Sequence, residues 1–406
     1  MSNWFKVIIP EEKLHPKFIH LSDFAYLEEK NLVSEWIRRF VNKDGNKKTI
    51  TQFQESFHSM IWELYLNEAI ITSSINIIKD ENKESVDFFI QKNNQKANIE
   101  AVVSNISDSS PKESERTLND IYGNNDYYKI MNESIPRLLN SIISKSNHYE
   151  KHYIKNSNIR DNPFVLAISD HAQINSGQSS YYPLLNILYN AYYDPEDREN
   201  LKIYGYDNLD HEYKYKDTYL KSNGTQLELG LFSTEKYKHI SAIIYSCTMT
   251  LGKLTSLCVN HSTPKFIVTE WEEHKKLRYS NTISDENLLD GLFIFHNPYA
   301  EKEFSNDFFN QKGITNIYFN EDDCDEFIVL NTKERYSPLV RRYVGVKGDE
   351  FNLIKDIDEF MFIPTNITNH WKKNKAILRK YRPLKYRRKI FKRVERQDVK
   401  LPYPSI

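Results

Sequence analysis

The chain is poor in cysteine and has no long apolar run. Its 406 residues include three cysteines, Cys247, Cys258 and Cys324, too few and too scattered for a disulfide framework or a thiolate zinc site. No apolar stretch approaches the roughly 20 residues of a membrane helix, and the first residues lack the basic and apolar regions of a secretory signal. These absences predict a soluble, cytoplasmic protein with no membrane partner.

Several common catalytic motifs are also missing. No Gly-x-Ser-x-Gly elbow of a serine hydrolase occurs. Residues 248–253 end in Gly-Lys, but Cys247 and Leu254 replace the first Gly and the final Ser or Thr of a phosphate-binding loop. His148 and His152 lie one helical turn apart, as in zinc peptidases, although the usual Glu after the first His is absent. A zinc hydrolase is therefore a minor alternative, which predicts stoichiometric zinc.

The composition is that of a folded protein, with 39% hydrophobic and 13% aromatic residues. The net charge of −1 conceals a polarity, because residues 372–400 hold 14 Lys and Arg against 2 Asp and Glu. A basic tail with interleaved aromatics predicts non-specific nucleic-acid binding, although such a run is often a solvated face or a strap over the chain's own acidic surface. The tail residues expected to bind phosphates are Lys372, Lys373, Arg379, Arg387, Arg388 and Lys389.

Hydrophobic periodicity predicts an α/β fold. The expected order is helix, three strands, helix, strand: helices at 22–42 and 51–69, strands at 73–78, 86–91 and 96–103, a polar loop at 104–128, a helix at 134–155 with Pro136 in its first turn, and a strand at 163–169. Farther on, a helix is expected at 182–193, and strands at 240–246, 266–269 and 292–295 are expected to extend the sheet. A further strand is expected at 327–330.

The most informative feature is a pair of acids on the second and third of these strands. If Asn93 and Asn94 form a two-residue turn, residue 90 faces 97, 88 faces 99, and Asp87 faces Glu100. Like charges placed directly opposite each other are destabilising. A divalent cation such as Mg²⁺ would relieve this repulsion, because hard cations take carboxylate ligands.

This arrangement resembles the PD-(D/E)xK superfamily of restriction-endonuclease-like nucleases. Val102 stands where the usual lysine lies. In some branches the lysine has moved to the following helix, and Lys145 fits that place because it interrupts the apolar stripe Leu138, Ile142 and Tyr149. The chain is also similar to a set of uncharacterised bacterial nuclease-like proteins in Trp62-Glu63-Leu64-Tyr65-Leu66, in Arg137 with Lys145, in the 163–168 strand and in His296-Asn297-Pro298.

The resemblance implies a restriction-endonuclease-like core at 51–305, between an N-terminal helical segment at 1–50 and a C-terminal accessory region at 306–406. It implies Mg²⁺ or Mn²⁺ held by Asp87, Glu100 and Glu63, with Lys145 stabilising charge on phosphorus and Arg137 clamping a phosphate. The expected activity is cleavage of nucleic acid, DNA rather than RNA, in bacterial defence against phage.

Other interpretations stay open at this point. The fold could be catalytically inactive and bind nucleic acid or a protein partner. Activity could await a homo-oligomer or a defence-system partner, with the loop at 104–128 covering the site. Asp87 and Glu100 could face solvent on an ordinary hairpin, Lys145 could snorkel from the edge of its stripe, and Glu63 could belong to an ion pair.

Overall fold

A computed structural model describes residues 3–41, 45–78, 85–107, 110, 113–115, 126–173, 177–193, 213–221, 223–258, 265–272, 274–279, 284–322 and 325–346. The basic tail and its six predicted phosphate-binding residues lie outside these ranges. So does Cys324.

The described residues form eight α-helices and fifteen β-strands. The helices are α1 Pro16–Ser22, α2 Leu27–Arg39, α3 Asn46–Glu55, α4 Phe57–Thr72, α5 Tyr127–Lys151, α6 Ser157–Arg160, α7 Tyr182–Tyr189 and α8 Leu251–Leu257. The strands are β1 Asn76–Ile78, β2 Phe88–Lys92, β3 Gln95–Asn105, β4 Phe164–His171, β5 Ala191–Tyr193, β6 Tyr213–Tyr215, β7 Thr218–Leu220, β8 Gln226–Glu228, β9 Ala242–Ser246, β10 Lys265–Trp271, β11 His274–Tyr279, β12 Phe293–His296, β13 Thr315–Asp322, β14 Asp325–Thr332 and β15 Leu339–Val346. None of the described helices combines the length and apolarity needed to cross a membrane.

An eight-stranded mixed sheet organises the molecule, in the order β1-β2-β3-β4-β9-β12-β13-β14. Strands β3, β4 and β9 run parallel to one another, whereas β1, β2 and β3 are joined by antiparallel pairing. The predicted boundary at residue 305 falls between β12 and β13, which pair in parallel within this sheet. The predicted mixed α/β class is therefore confirmed.

Helices cover both faces of the central strands, as a sheet that is buried on both sides requires. Helices α5 and α7 pack on the face that carries Leu166 and Ile168. Helix α4 packs on the other face, against Ile99, Val165 and Ala167. Trp62 of α4 donates a hydrogen bond from Nε1 to the carbonyl of Ala167, 2.9 Å away. The helical layers therefore place α4 and α5 on opposite sides of β3 and β4.

The turn between β2 and β3 has the predicted register. Phe88 pairs with Ile99 and Ile90 pairs with Ala97, and all four of these side chains are buried in the α4 face. Asn93 adopts a φ of 55°, a conformation that Asn tolerates better than most residues. The hairpin prediction is confirmed, although β2 begins at Phe88, one residue after Asp87.

Two of the predicted helices are interrupted near their N-terminal ends. The helix predicted at 22–42 becomes a 3-10 turn at Phe24–Tyr26 followed by α2, because the Asp23 carboxylate accepts the amide of Ala25 at 2.8 Å and caps that turn. The helix predicted at 51–69 is interrupted at Ser56, whose φ of −113° and ψ of 49° are not helical. An unbroken apolar pattern therefore concealed two changes of direction.

Two other helices have different ends from those predicted. Helix α5 begins at Tyr127, because the Asp126 side chain accepts the amide of Lys129 at 3.2 Å and Tyr127 is already buried. Pro136 therefore lies inside the helix rather than in its first turn, and Arg137 is a mid-helix residue. Helix α7 ends at Tyr189, because Asn190 is left-handed with a φ of 60° and the chain continues as β5.

The strand predicted at 266–269 does not extend the main sheet. It is part of β10, which pairs with β11 and β15 in a separate three-stranded sheet. The strands predicted at 240–246, 292–295 and 327–330 correspond to β9, β12 and β14 and do belong to the main sheet. Local pattern predicted each strand but not its sheet, because partner choice depends on contacts that are distant in sequence.

Candidate functional site

Glu100 lies in the middle of β3 with its carboxylate on the α5 face of the sheet. The residue is 5% exposed. Lys145 of α5 donates from Nζ to Glu100 Oε1 at 2.6 Å, and the Tyr153 hydroxyl donates to Oε2 at 3.1 Å. A buried carboxylate needs such donors, since transfer of an isolated charge from water is very costly. Both oxygens of Glu100 thus have a partner from α5 or the turn that follows it.

Asp87 lies beside Glu100 at the entrance to β2. Its Oδ2 accepts the backbone amide of Ala101, the residue after Glu100, at 2.8 Å. Val86 is buried on the α5 face of the sheet, whereas Phe88 is buried on the α4 face. Residues two apart share a face in a regular strand, so the alternation is broken at Asp87. The structure therefore brings the two predicted acids together, through a side-chain contact with β3 rather than through a ladder pair.

The surroundings raise the pKa of Glu100 above its ordinary value. Burial is the largest cause and the nearby charge of Asp87 adds to it, whereas the charge and hydrogen bond of Lys145 and the hydrogen bond of Tyr153 act in the opposite direction. Burial and like charge both disfavour the ionised form of a carboxyl group. Lys145 and Tyr153 therefore compensate only in part for the burial of Glu100 and for the charge of Asp87.

Lys145 leans inward from α5, as the interrupted apolar stripe predicted. Leu138, Ile142 and Tyr149 of the same stripe are buried, and the Lys145 side chain is 28% exposed. Val102, on the same face of β3 as Glu100, packs against the core beneath α5. An apolar residue thus occupies position 102, and the ammonium group of Lys145 reaches Glu100 from the helix.

A cleft of about 460 Å³ opens along the C-terminal half of α5, beside Lys145. It is lined by Ser144, Lys145, Asn147, His148, Lys151 and His152. These residues include two lysines, two histidines and no acid, so the cleft suits an anion. The rings of His148 and His152 stack with their centroids 4.6 Å apart, and His148 also packs edge-on against Tyr153 at 4.7 Å.

The remaining predicted core residues lie farther out. Glu63 is on α4, between Trp62 and Leu64 of the core on the opposite side of the sheet from α5. Arg137 is partly buried on α5, eight residues before Lys145, or about 12 Å along the helix axis. The structure thus joins Asp87, Glu100 and Lys145, whereas Glu63 belongs to the other helical layer and Arg137 to an earlier part of α5.

Two further sequence features have structural explanations. His296 forms a hydrogen bond between Nε2 and Asn316 Oδ1 at 2.9 Å, and burial lowers its pKa to about 4. Glu113, in the middle of the stretch predicted as a covering loop, contacts His15 and His58 in the helical layer of α1 and α4. This described part of the loop therefore lies on the face of the sheet away from Lys145.

Sequence reasoning missed Tyr153 as a partner of Glu100 and the packing of His148 against Tyr153. Tyr153 follows α5 in a separate short turn, and no motif or spacing marks it as a partner of a residue 53 positions earlier. Comparison of the chain with protein-family models, with curated proteins and with solved structures gives no match, so the site stands on its own geometry.

Proposed function

We propose that this protein is a Mg²⁺-dependent phosphodiesterase that cleaves nucleic acid, with DNA as the expected substrate. The observation that carries the proposal is the contact between Lys145 and Glu100 beside Asp87. An acid pair with a lysine at hydrogen-bonding distance is the combination that the nuclease resemblance implies for metal-assisted phosphodiester hydrolysis. A role in bacterial defence against phage rests on the sequence resemblance alone.

The acids fit a hard divalent cation. Asp87 and Glu100 offer oxygen ligands, and a bound cation would favour the ionised form of Glu100, whose pKa is raised first by burial and then by the charge of Asp87. Bound there, Mg²⁺ or Mn²⁺ would supply Lewis acidity and lower the pKa of an attacking water. Glu63 lies in the helical layer on the other side of the sheet and is left out of this proposed cation site.

The chain's own residues position and neutralise the reacting groups. Lys145 balances the charge of Glu100 before substrate arrives and can stabilise negative charge that builds on the phosphoryl oxygens. Tyr153 holds the second oxygen of Glu100 and so sets the orientation of the carboxylate. Lys151, His148 and His152 offer positive or hydrogen-bonding groups to a neighbouring phosphate in the cleft.

A second candidate is a catalytically inactive nuclease fold that binds nucleic acid or a partner. Two observations favour it. Val102 stands where the usual lysine would be, and both oxygens of Glu100 already accept hydrogen bonds from the chain. In this case the Lys145–Glu100 pair would be a structural ion pair, and the cleft would bind an anion without cleaving it.

Cleavage assays on matched variants separate the two candidates. The full chain would be incubated with plasmid and with single- and double-stranded oligonucleotides of DNA and RNA, with Mg²⁺, with Mn²⁺ and with EDTA. We expect cation-dependent cutting by the wild type and a loss of about 100-fold or more in Asp87→Asn, Glu100→Gln and Lys145→Met. Glu150→Gln and Lys129→Met, exposed residues of the same helix, are the controls and should cut normally.

Each result of these assays has a different meaning. Undiminished cutting by both Asp87→Asn and Glu100→Gln would refute the assigned site. Retained binding of nucleic acid by the wild type, with no cutting under any of these conditions, would support the inactive binding protein. A substrate preference for RNA would correct the DNA expectation and leave the site intact.

A further inference from the structure

Three segments that are distant in sequence bring two imidazoles and a carboxylate together on the α4 side of the molecule. His15 precedes α1, His58 lies in the first turn of α4, and Glu113 belongs to a short turn after β3. One ligand atom from each of the three residues lies within 4.8 Å of the other two. The side chains are 18%, 18% and 14% exposed, respectively.

The distances within this cluster are those of a coordination shell rather than of strong hydrogen bonds. Glu113 Oε2 is 3.4 Å from His15 Nε2 and 3.3 Å from His58 Nε2. Charge-assisted N–H···O bonds are shorter, about 2.7–2.9 Å. Ligands placed about 2.0–2.1 Å from a tetrahedral Zn²⁺ ion are roughly 3.3–3.4 Å from one another. The two measured edges match that separation, and the two imidazole nitrogens lie within 4.8 Å of each other.

We propose that His15, His58 and Glu113 form a Zn²⁺ site. Two imidazoles and one carboxylate are a recognised zinc ligand set, which leaves a coordination position for water. Nitrogen donors favour Zn²⁺ over Mg²⁺, which prefers oxygen ligands. The site is separate from the acids of β2 and β3, lies on the other side of the sheet, and does not depend on the proposed nuclease activity.

The groups around the three residues suit this role. Lys17 Nζ lies 3.6 Å from Glu113 Oε1, the oxygen that does not face the imidazoles, and can hold the carboxylate in place. The ring of His171, at the end of β4, packs on the ring of His58 with centroids 3.9 Å apart, and Phe57 stacks beside His15 at 5.8 Å. These contacts restrict the orientation of both imidazoles.

Binding requires one change at His15. Its Nδ1 accepts the amide of Lys17 at 3.1 Å and caps α1, so the neutral ring carries its proton on Nε2 and donates it towards Glu113. A zinc-bound imidazole instead carries the proton on its other nitrogen. The cap and the ion are therefore alternative partners of His15, because its proton must move from Nε2 to Nδ1 when the ring binds zinc.

The proposed ion would join the segment after β3 to the helical layer. Glu113 is attached to α1 and α4 by these long polar contacts. A ligand that binds only the folded protein raises its apparent stability. Zinc should therefore raise the melting temperature of the full chain, whereas Mg²⁺ should not act at this site.

The test measures zinc in the full-length protein and in variants that keep the local hydrogen bonds. His15→Asn retains a capping acceptor for Lys17, and Glu113→Gln retains an acceptor for one imidazole. His58→Gln completes the set. The matched control is His148→Gln with His152→Gln, because that pair of histidines lies in the α5 cleft. Metal content is measured by mass spectrometry after dialysis, affinity by chelator competition, and geometry by the visible spectrum of the Co²⁺-substituted protein.

We expect one zinc per chain, a tetrahedral or five-coordinate Co²⁺ spectrum, and a decrease in zinc affinity of about tenfold or more in each of the three ligand variants. The control should bind zinc as the wild type does. The proposal would be overturned if the wild-type protein did not bind zinc. It would also be overturned if His58→Gln and Glu113→Gln bound zinc with the same affinity as the wild type. Loss of zinc from the control alone would assign the ion to the α5 cleft instead.

These outcomes do not depend on nuclease activity. A wild type that binds zinc but cuts no nucleic acid would support this site and count against the proposed function. Circular dichroism of each variant distinguishes loss of a ligand from loss of fold, and His15→Asn is the variant expected to fold best, because it keeps the helix cap.

Discussion

Glu100 is an acidic residue in surroundings that disfavour its ionised form. It is buried beside another acid, and its pKa is raised by burial and by the charge of Asp87. Lys145 and Tyr153 compensate in part. Groups held in unfavourable surroundings tend to cluster at functional sites, where the cost is offset elsewhere in the fold. The same feature makes a prediction about stability that is independent of catalysis.

We expect Glu100→Gln to be more stable than the wild type at neutral pH when no divalent cation is present. Because the folded-state pKa of Glu100 is raised, the folded chain keeps its proton over a pH range in which the unfolded chain has lost it. The contribution of Glu100 to the free energy of unfolding therefore falls as the pH rises from 4.5, the ordinary pKa of a Glu side chain, through the raised pKa of the folded state. The gain in Glu100→Gln should be of the order of 1 kcal/mol at pH 8 and should vanish near pH 4.

Urea unfolding between pH 4 and pH 8 measures this difference. Glu68→Gln is the control, because the buried carboxylate of Glu68 pairs with Arg39 through two hydrogen bonds and its removal should not stabilise the chain. A Glu100→Gln variant that is less stable than the wild type at pH 8 would show that Lys145 and Tyr153 outweigh burial and repulsion.

At the scale of elements, the β2–β3 hairpin and α5 together position the candidate site. The turn sets which residues of the two strands are neighbours, and the apolar pairs Phe88–Ile99 and Ile90–Ala97 bury the α4 face. A slip of one residue would exchange the two faces of a strand. Helix α5 then brings Lys145 over β3, because Leu138 and Ile142 anchor the same stripe in the core.

We expect Asn93→Val to destabilise the chain by about 1–2 kcal/mol, the cost of the left-handed conformation for a residue with a bulky Cβ. The φ of 55° at Asn93 is the reason. Asn94→Val is the matched control and should cost less, because Asn94 is not among the described residues with positive φ. Denaturant unfolding of both variants decides the point, and an equal decrease in stability would mean that the turn does not depend on Asn93.

At the scale of the whole molecule, the charges are divided along the chain. Residues 372–400 carry 14 basic and 2 acidic residues, whereas the rest of the chain carries 41 basic and 54 acidic residues. A polyanion is attracted first by the basic tail, whatever the chemistry of the core. This division predicts nucleic-acid binding that weakens steeply with salt.

We expect a triple substitution of Arg387, Arg388 and Lys389 by Ala to weaken nucleic-acid binding. The slope of log affinity against log salt should fall by about 1 for each phosphate that the variant no longer neutralises. Replacement of the exposed Lys6, Lys13 and Lys47 by Ala is the control of equal charge change. Fluorescence anisotropy at several salt concentrations measures both slopes. Identical slopes for the two variants would remove the tail from the binding surface.

Patterns among residues close in sequence predicted some of the elements correctly and others not. The β2–β3 register and the inward lean of Lys145 were correctly predicted, because alternation, turn chemistry and helical spacing involve residues that are close in sequence. The start of the helix predicted at 22–42, the single helix predicted at 51–69 and the assignment of β10 to the main sheet were wrong. In those regions a cap, a local turn or a distant strand partner decided the outcome.

The sequence by itself therefore determined the α/β class, the hairpin with its two acids and the lysine that leans towards them, since each follows from spacing within a segment. Only the tertiary structure decided that Tyr153 shares Glu100 with Lys145 and that Glu63 lies on the other side of the sheet. It also decided that His15, His58 and Glu113 meet. These contacts join residues far apart in the chain, and their partners are selected by packing of the whole core, which no local pattern encodes.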